Sequence, residues 1–254
     1  MVKLGIIGGS GLEKLNLFTD YKIIEATTDY GVPSSAVITG KIGEIEVAII
    51  SRHGNQHTIP PSQVNNRANI MALKNLGCTH IIATTACGSL KEEIKPGDMV
   101  VPDQFIDFTR HRAITFFESF EPEHMAHTPM ADPFDLELSQ LIIATASELK
   151  FKMHHNGCIL TIEGPRFSTR AESKMFISWG ADLINMSTAP EVILANEAQI
   201  PYAAIALSTD YDCWKTDIEA VSWEAVLEVF NKNANNVTRL LLEIIHRLSY
   251  WDVC

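Results

Sequence analysis

The chain of 254 residues carries 31 acidic and 20 basic side chains, a formal net charge of −11, which argues against non-specific nucleic-acid binding because that relies on basic surface. With 46% hydrophobic and 20% charged residues it has enough apolar material for a sizeable core without metal or disulfide staples. No apolar run approaches the roughly 20 residues that span a bilayer, and Cys78, Cys87, Cys158, Cys213 and Cys254 form no C-x-x-C pair, so neither a disulfide framework nor a zinc site is expected.

Met1-Val-Lys-Leu runs straight into an apolar segment with no charged and apolar leader, so the expected compartment is the cytoplasm. Residues 2–7 read as a buried strand entering the turn Gly8-Gly9-Ser10-Gly11. Residues 36–39 and 47–50 read as further strands, and 64–76 as a helix ended by Gly77. Residues 80–84 form a predicted strand followed by the small residues Thr85-Ala86-Cys87-Gly88-Ser89, and 99–101 a short strand before Pro102. A helix over 136–149 follows. Thr169-x-x-Glu172 is a capping box opening a helix through Trp179, and Thr188-x-x-Glu191 has the same form. Strands over 183–184 and 202–207 precede a long amphipathic helix marked by Trp223, Val226, Leu227, Phe230, Leu241, Ile244 and Leu248. Alternating strands and helices predict an α/β fold: one domain over 1–254, with a central mixed, mainly parallel β-sheet flanked by α-helices.

Four polar motifs follow predicted strands, and in such folds ligands bind where strands end. Gly8 to Gly11 can turn N–H groups toward an anion, but position 14 is Lys14, so the dinucleotide fingerprint fails. Arg52-His53-Gly54 couples a guanidinium, suited to bidentate phosphate contact, to an imidazole. The pair His53-x-x-x-His57 has no nearby third ligand and Arg52 would repel a cation, so no metal is expected. Cys87 lacks an evident base and reads as packing. Ser187 and Thr188 precede a helix whose positive end suits phosphate. Asp210 and Asp212 lie two apart at a strand end, so both can face one ligand edge. A solvated acidic turn is the plainer alternative.

In family order and over nearly the whole chain, these motifs resemble the methylthioadenosine phosphorylase branch of the trimeric purine nucleoside phosphorylase family. The matching residues include Gly5-Ile-Ile-Gly-Gly-Ser-Gly11, Arg52-His53-Gly54, Thr84-Thr-Ala-Cys-Gly-Ser-Leu90, Ile162-Glu-Gly-Pro-Arg-Phe-Ser168, Asn185-Met186 and Thr209-Asp-Tyr-Asp-Cys-Trp214. The resemblance implies phosphorolysis of S-methyl-5′-thioadenosine to adenine and 5-methylthioribose 1-phosphate, with inorganic phosphate as co-substrate and no cofactor. It implies that Ser10, Arg52, His53, Thr85, Ala86 and Ser187 hold phosphate and that Met186 underlies the ribose. Phe167, Ser168, Asp210 and Asp212 would line the purine pocket, with the two aspartates as the catalytic pair. A homotrimer is implied, with His127 reaching a neighbouring subunit's site.

Departures from the family pattern are Ser187 in place of threonine, Asn55 in place of a basic residue, and Trp223 in place of a small aliphatic residue at the 5′ substituent. Val226 and Leu227 match the family's apolar lining there. Trp223 is read three ways: as a core residue, as a stacking partner for the thioether sulfur, or as a plug that favours a 5′-hydroxyl. Hence a phosphorylase for adenosine, methylthioinosine or inosine stays open as an alternative, and a non-catalytic nucleoside-binding protein as a remote one.

Overall fold

The computed structural model describes residues 2–8, 18–217 and 222–251. Ser10 and the glycine-rich turn beyond Gly8 lie outside the described residues.

In chain order the elements are β1 (Lys3–Gly8), β2 (Thr19–Ile24), β3 (Val37–Ile42), β4 (Ile45–Ser51), α1 (Asn66–Asn75), β5 (His80–Ser89), β6 (Met99–Val101), β7 (Gln104–Phe108), α2 (Leu136–Glu148), β8 (Met153–His155), β9 (Cys158–Ile162), α3 (Arg170–Ser178), β10 (Leu183–Asn185), α4 (Thr188–Glu197), β11 (Tyr202–Asp210) and α5 (Trp223–Leu248). The strands join in one sheet whose main path runs β2-β3-β4-β1-β5-β10-β9-β7, with β11 on β5, β6 on β11 and β8 on β6. Pairs β1–β4, β1–β5, β5–β11, β9–β10, β7–β9 and β6–β8 are parallel, and the other four are antiparallel. The sheet is mixed and mainly parallel, as expected.

Burial on both faces explains the continuous apolar runs. Ile7, Ile50, Ile81 and Ala83 pack under Ile70 and Leu73 of α1 and Val192 and Ala195 of α4. Leu4, Ile6, Val47, Ile49, Ile82 and Ile205 pack under Leu138 and Ile142 of α2 and Leu241, Ile244 and Ile245 of α5. Neighbouring residues on β1 therefore serve opposite layers, as the period of two requires.

Strand β5 positions the site. On one edge it pairs with β1 up to Ala83 and then, beyond a gap, with β10 at Gly88 and Ser89. On its other edge it follows β11 throughout. The Ile81 N–H donates to Pro201 O on the β11 side. Alternation then turns the main-chain groups of Thr84 and Ala86 toward the gap. Three parallel neighbours, β4, β1 and β11, end at the same edge as β5, so the expected gathering of strand ends is present.

Several local expectations are corrected. Residues 85–89 continue strand β5 rather than forming a loop, and β11 extends through Asp210. Strands β2, β7, β8 and β9 were not foreseen. Thr188 does not cap α4: Ser187 occupies that position without a side-chain cap, and Glu191 is drawn elsewhere. The box Thr169–Glu172 does form, the Thr169 hydroxyl accepting from Glu172 N at 3.1 Å and Glu172 accepting from Thr169 N at 2.7 Å. It anchors the start of α3 directly after Phe167 and Ser168. Thr169→Ala should lower unfolding free energy by about 1 kcal/mol in urea denaturation, while Thr169→Ser should be near neutral.

Candidate active site

The gap in β5 is bridged by a buried ion pair. Arg52, the residue after β4, donates from Nε and Nη2 to the Glu191 carboxylate on α4, from Nη1 to Thr84 O at 2.8 Å, and from Nη2 to Ile7 O at 3.4 Å. Glu191 is fully buried and also accepts from the Tyr202 hydroxyl at 2.9 Å. Burial opposes the Arg52 charge, but the charge and hydrogen bonds of Glu191 outweigh it and raise the guanidinium pKa. The planar fork expected to grip phosphate is thus spent on Glu191. These four bonds leave one N–H of the five on Nη1, and the positive charge remains beside the gap.

His53 Nδ1 lies 2.9 Å from Ile59 O, and since a carbonyl only accepts, Nδ1 carries the proton. Burial and the Arg52 charge push the imidazole pKa down to about 4. His53 is therefore neutral near pH 7 and Nε2 offers a lone pair. Nε2 suits the hydroxyl of a protonated phosphate.

Across the gap, Asn185 at the end of β10 organises hydroxyls. Its Nδ2 donates toward Thr188 Oγ1 at 2.6 Å, Thr85 Oγ1 at 3.1 Å and Ser187 Oγ at 3.3 Å, while its Oδ1 accepts from Thr161 Oγ1 at 2.8 Å. Thr85 Oγ1 and Ser187 Oγ are 3.1 Å apart. Thr85, Ser187 and the gap-facing Ala86 therefore converge at the N-terminus of α4, a combination that favours an anion.

Asp210 and Asp212 meet over Gly88. A β-bulge between Ser208 and Asp210 brings Asp210 opposite Gly88, and a Cβ on Gly88 would lie 2.9 Å from Asp210 Oδ1 and 3.2 Å from Asp212 Cβ. Asp210 Oδ1 accepts from Asp212 N at 2.7 Å and Oδ2 from Thr209 Oγ1 at 2.8 Å. Burial raises the Asp210 pKa, those two hydrogen bonds work against it, and the Asp212 charge adds to the rise. Burial raises Asp212 as well. The two carboxyls do share one side, but through the bulge and the left-handed backbone of Asp212 (φ 49°) rather than simple alternation.

Ser168 Oγ and Ser173 Oγ are buried near Asp212 without a hydrogen-bond partner among the described residues. They favour its charged form without the geometry of a bond. Phe167 is 37% exposed beside them. Met186 packs on Gly164, where a Cβ would come within 2.4 Å of its sulfur. Val226 is buried and Leu227 partly exposed on α5. Trp223 is 47% exposed, which removes the core reading, and its ring rests against His57 at 5.5 Å between centroids. Cys87 is buried with its thiol pKa pushed up, consistent with packing.

His127 joins none of these residues. It lines a separate cavity of about 450 Å³ with Phe105, Phe117, Phe120, Met130 and Ile193. Sequence reasoning gave no site role to Glu191 or Asn185, though both stood in quoted motifs, and did not single out Arg112, which binds Glu163 and donates to Met186 O at 3.2 Å. The signals for Glu191 were its place in the misread capping box and in the run Pro190-Glu-Val192, which matches the family pattern. Glu191→Gln keeps the shape but leaves Arg52 buried without a counter-charge. It should cost about 3–5 kcal/mol in denaturant unfolding; a loss below about 1 kcal/mol would show that the pair does not hold the junction.

Comparisons with known proteins show the family and the fold. Residues 3–246 match the family model described as the phosphorylase superfamily. The S-methyl-5′-thioadenosine phosphorylases of Xenopus tropicalis and Danio rerio are 52% and 50% identical, each alignment covering 99% of this chain and 90% of the relative. A structure of methylthioadenosine phosphorylase from Schistosoma mansoni in complex with adenine superposes with a TM-score of 0.92 at 43% identity, covering 99% of this chain and 93% of the other. A variant of the adenosine/methylthioadenosine phosphorylase from the same organism, in complex with methylthioadenosine, superposes with a TM-score of 0.91. A full-length sequence match, the shared fold and an anion-suited gap beside paired carboxyls lead to one assignment: the chain belongs to the phosphorylase superfamily.

Proposed function

We propose that the chain is a pentosyltransferase that splits S-methyl-5′-thioadenosine with inorganic phosphate, releasing adenine and 5-methylthioribose 1-phosphate. The observation that carries this reading is the meeting of Asp210 and Asp212 over Gly88, directly beside the gap in β5. A base-binding acid pair and an anion cradle then lie two residues apart along β5.

In this reading phosphate sits against Thr85, Ala86 N–H, Ser187 and His53 Nε2, in the field of Arg52, with Ser10 completing the cradle. A phosphate oxygen forms its bond to the anomeric carbon as the bond to N9 breaks, and the bonding pair leaves with adenine. Holding the nucleophile in place converts an encounter into a positioned reaction. Asp210, whose pKa burial raises, is the acid in this reading and gives a proton to N7. Asp212 accepts from the exocyclic amine, and the partnerless Ser168 hydroxyl adds a contact to the purine. Phe167 covers the base, Met186 the ribose, and Trp223, Val226 and Leu227 the 5′ substituent.

Adenosine is the second reading. It is favoured by Trp223, whose bulk stands at the 5′ end, and by the Schistosoma relative's name, which includes both nucleosides. A homotrimer is proposed from the apolar surface around His127, where Phe117, Phe120 and Met125 are exposed; light scattering showing a stable active monomer would exclude the shared-site role of His127. The cytoplasm is the proposed compartment, in keeping with the free thiols of Cys78, Cys87, Cys158 and Cys213.

The test is chromatographic measurement of base release from methylthioadenosine, adenosine, methylthioinosine and inosine, with and without phosphate. Phosphate-dependent adenine release, fastest from methylthioadenosine, is expected; no phosphate-dependent release from any of the four would sink the proposal. Asp210→Asn should lower kcat/KM about 10²–10⁴-fold. Because the protonated carboxyl is the active form, wild-type kcat/KM should fall as pH rises through its raised pKa, and that limb should vanish in Asp210→Asn. Full turnover by the variant would remove the acid role.

A further inference from the structure

His57 stands in a row of three rings between His53 and Trp223, the first residue of α5, and neither the phosphate cradle nor the purine pocket requires it. His57 stacks on His53, with centroids 4.5 Å apart and planes at 34°, and on Trp223 at 5.5 Å and 36°. The loop holding it is tight: Gly54 N donates to Ser51 O, His57 N to Gly54 O at 3.1 Å, and Ile59 N to His53 O at 3.0 Å. His57 itself has φ 55°, a left-handed conformation that non-glycine residues adopt infrequently. Its ring is thereby turned between one imidazole facing the phosphate cradle and one indole at the 5′ end.

The anchors at the two ends differ. His53 is oriented by its Nδ1–H bond to Ile59 O. Trp223 is the first residue of α5, just after Ser222, which caps the helix by accepting from Ala225 N at 3.2 Å. About half of the indole surface is exposed, so its orientation depends on what it stacks against. The His57 ring is the only ring in contact with Trp223 among the described residues.

We propose that His57 is a positioning residue that couples the phosphate cradle to the 5′ pocket. It acts through His53 on phosphate affinity and through Trp223 on the choice of 5′ substituent. The proposal rests on the phosphorolytic reading above. Phosphate on His53 Nε2 fixes the first ring, the second stacks on it, and the third takes the position that frames the 5′ group. Because binding couplings are reciprocal, a nucleoside with a well-fitting 5′ group must tighten phosphate by the same factor.

Initial rates would be compared for wild type, His57→Ala, His57→Phe, Trp223→Val and the His57→Ala/Trp223→Val double variant, with methylthioadenosine and adenosine as nucleosides. His57→Ala should raise KM for phosphate and for methylthioadenosine together, each by about threefold to tenfold on the scale of a ring pair, with a smaller change in kcat. Its preference between the two nucleosides should shift in the direction of Trp223→Val, and the double variant should shift no further than Trp223→Val alone. His57→Phe, which keeps a ring, should restore most of both effects. An unchanged phosphate KM, an additive double variant, or no rescue by phenylalanine would overturn the coupling.

A second measurement separates this proposal from the assigned reaction. Titration of the nucleoside-free protein with inorganic phosphate should change tryptophan emission in wild type and His57→Phe but not in His57→Ala or Trp223→Phe. An emission response that survives His57→Ala refutes the ring row even if turnover is found. Absence of turnover with a His57-dependent response refutes phosphorolysis and keeps the coupling.

Discussion

The ion pair between Arg52 and Glu191 is the constraint on which the site depends. Neither group meets water, so each is tolerable only in the presence of the other. The guanidinium also takes the carbonyls of Ile7 and Thr84, and the carboxylate takes the Tyr202 hydroxyl. One pair therefore holds the ends of β1 and β4, the middle of β5, helix α4 and the start of β11. Its charge extends further: burial and the Arg52 charge lower the pKa of both His53, to about 4, and His57.

Around that junction the sheet supplies two unlike half-sites from one strand. Thr84 and Ala86 turn their main-chain groups into the gap between β1 and β10, where hydroxyls gather under the N-terminus of α4. Two residues on, Gly88 makes room for the two carboxyls of β11 and the turn after it. The polar half favours negative charge, whereas the buried acidic half disfavours it. In the proposed reaction, that contrast would let a phosphate and a proton donor work side by side with neither neutralising the other.

Much of this was legible in the sequence, and what was not has identifiable causes. The α/β class, both apolar layers and the amphipathic α5 follow from periodicity and flanking turn residues. Strand β8 has three residues, none of them buried, and β2 is almost wholly exposed, so neither had enough patterned burial to register; β9 is buried over 159–162 but is only five residues long. Arg52 was identified, but its partner lies 139 residues away and no local rule reveals such a pairing. The proton on His53 Nδ1, and with it the role of Nε2, depended on Ile59 O. Asp210 and Asp212 were paired for a reason that proved incomplete, since the bulge and Gly88 bring them together. Trp223 was noticed as a departure, but its neighbour His57 had been weighed only as a metal ligand.

The gap in β5 has a consequence for variation. A contact offered by the amide of Ala86 belongs to the peptide and not to the residue type, so replacing that side chain leaves the donor in place. Selection therefore has little purchase on this part of the cradle. Changes in what the pocket accepts must come instead from its walls, at positions such as Gly88, Gly164 and Trp223, where an added or removed atom alters the space. An inhibitor that draws its affinity from the main chain of this strand would be correspondingly hard to evade by point mutation.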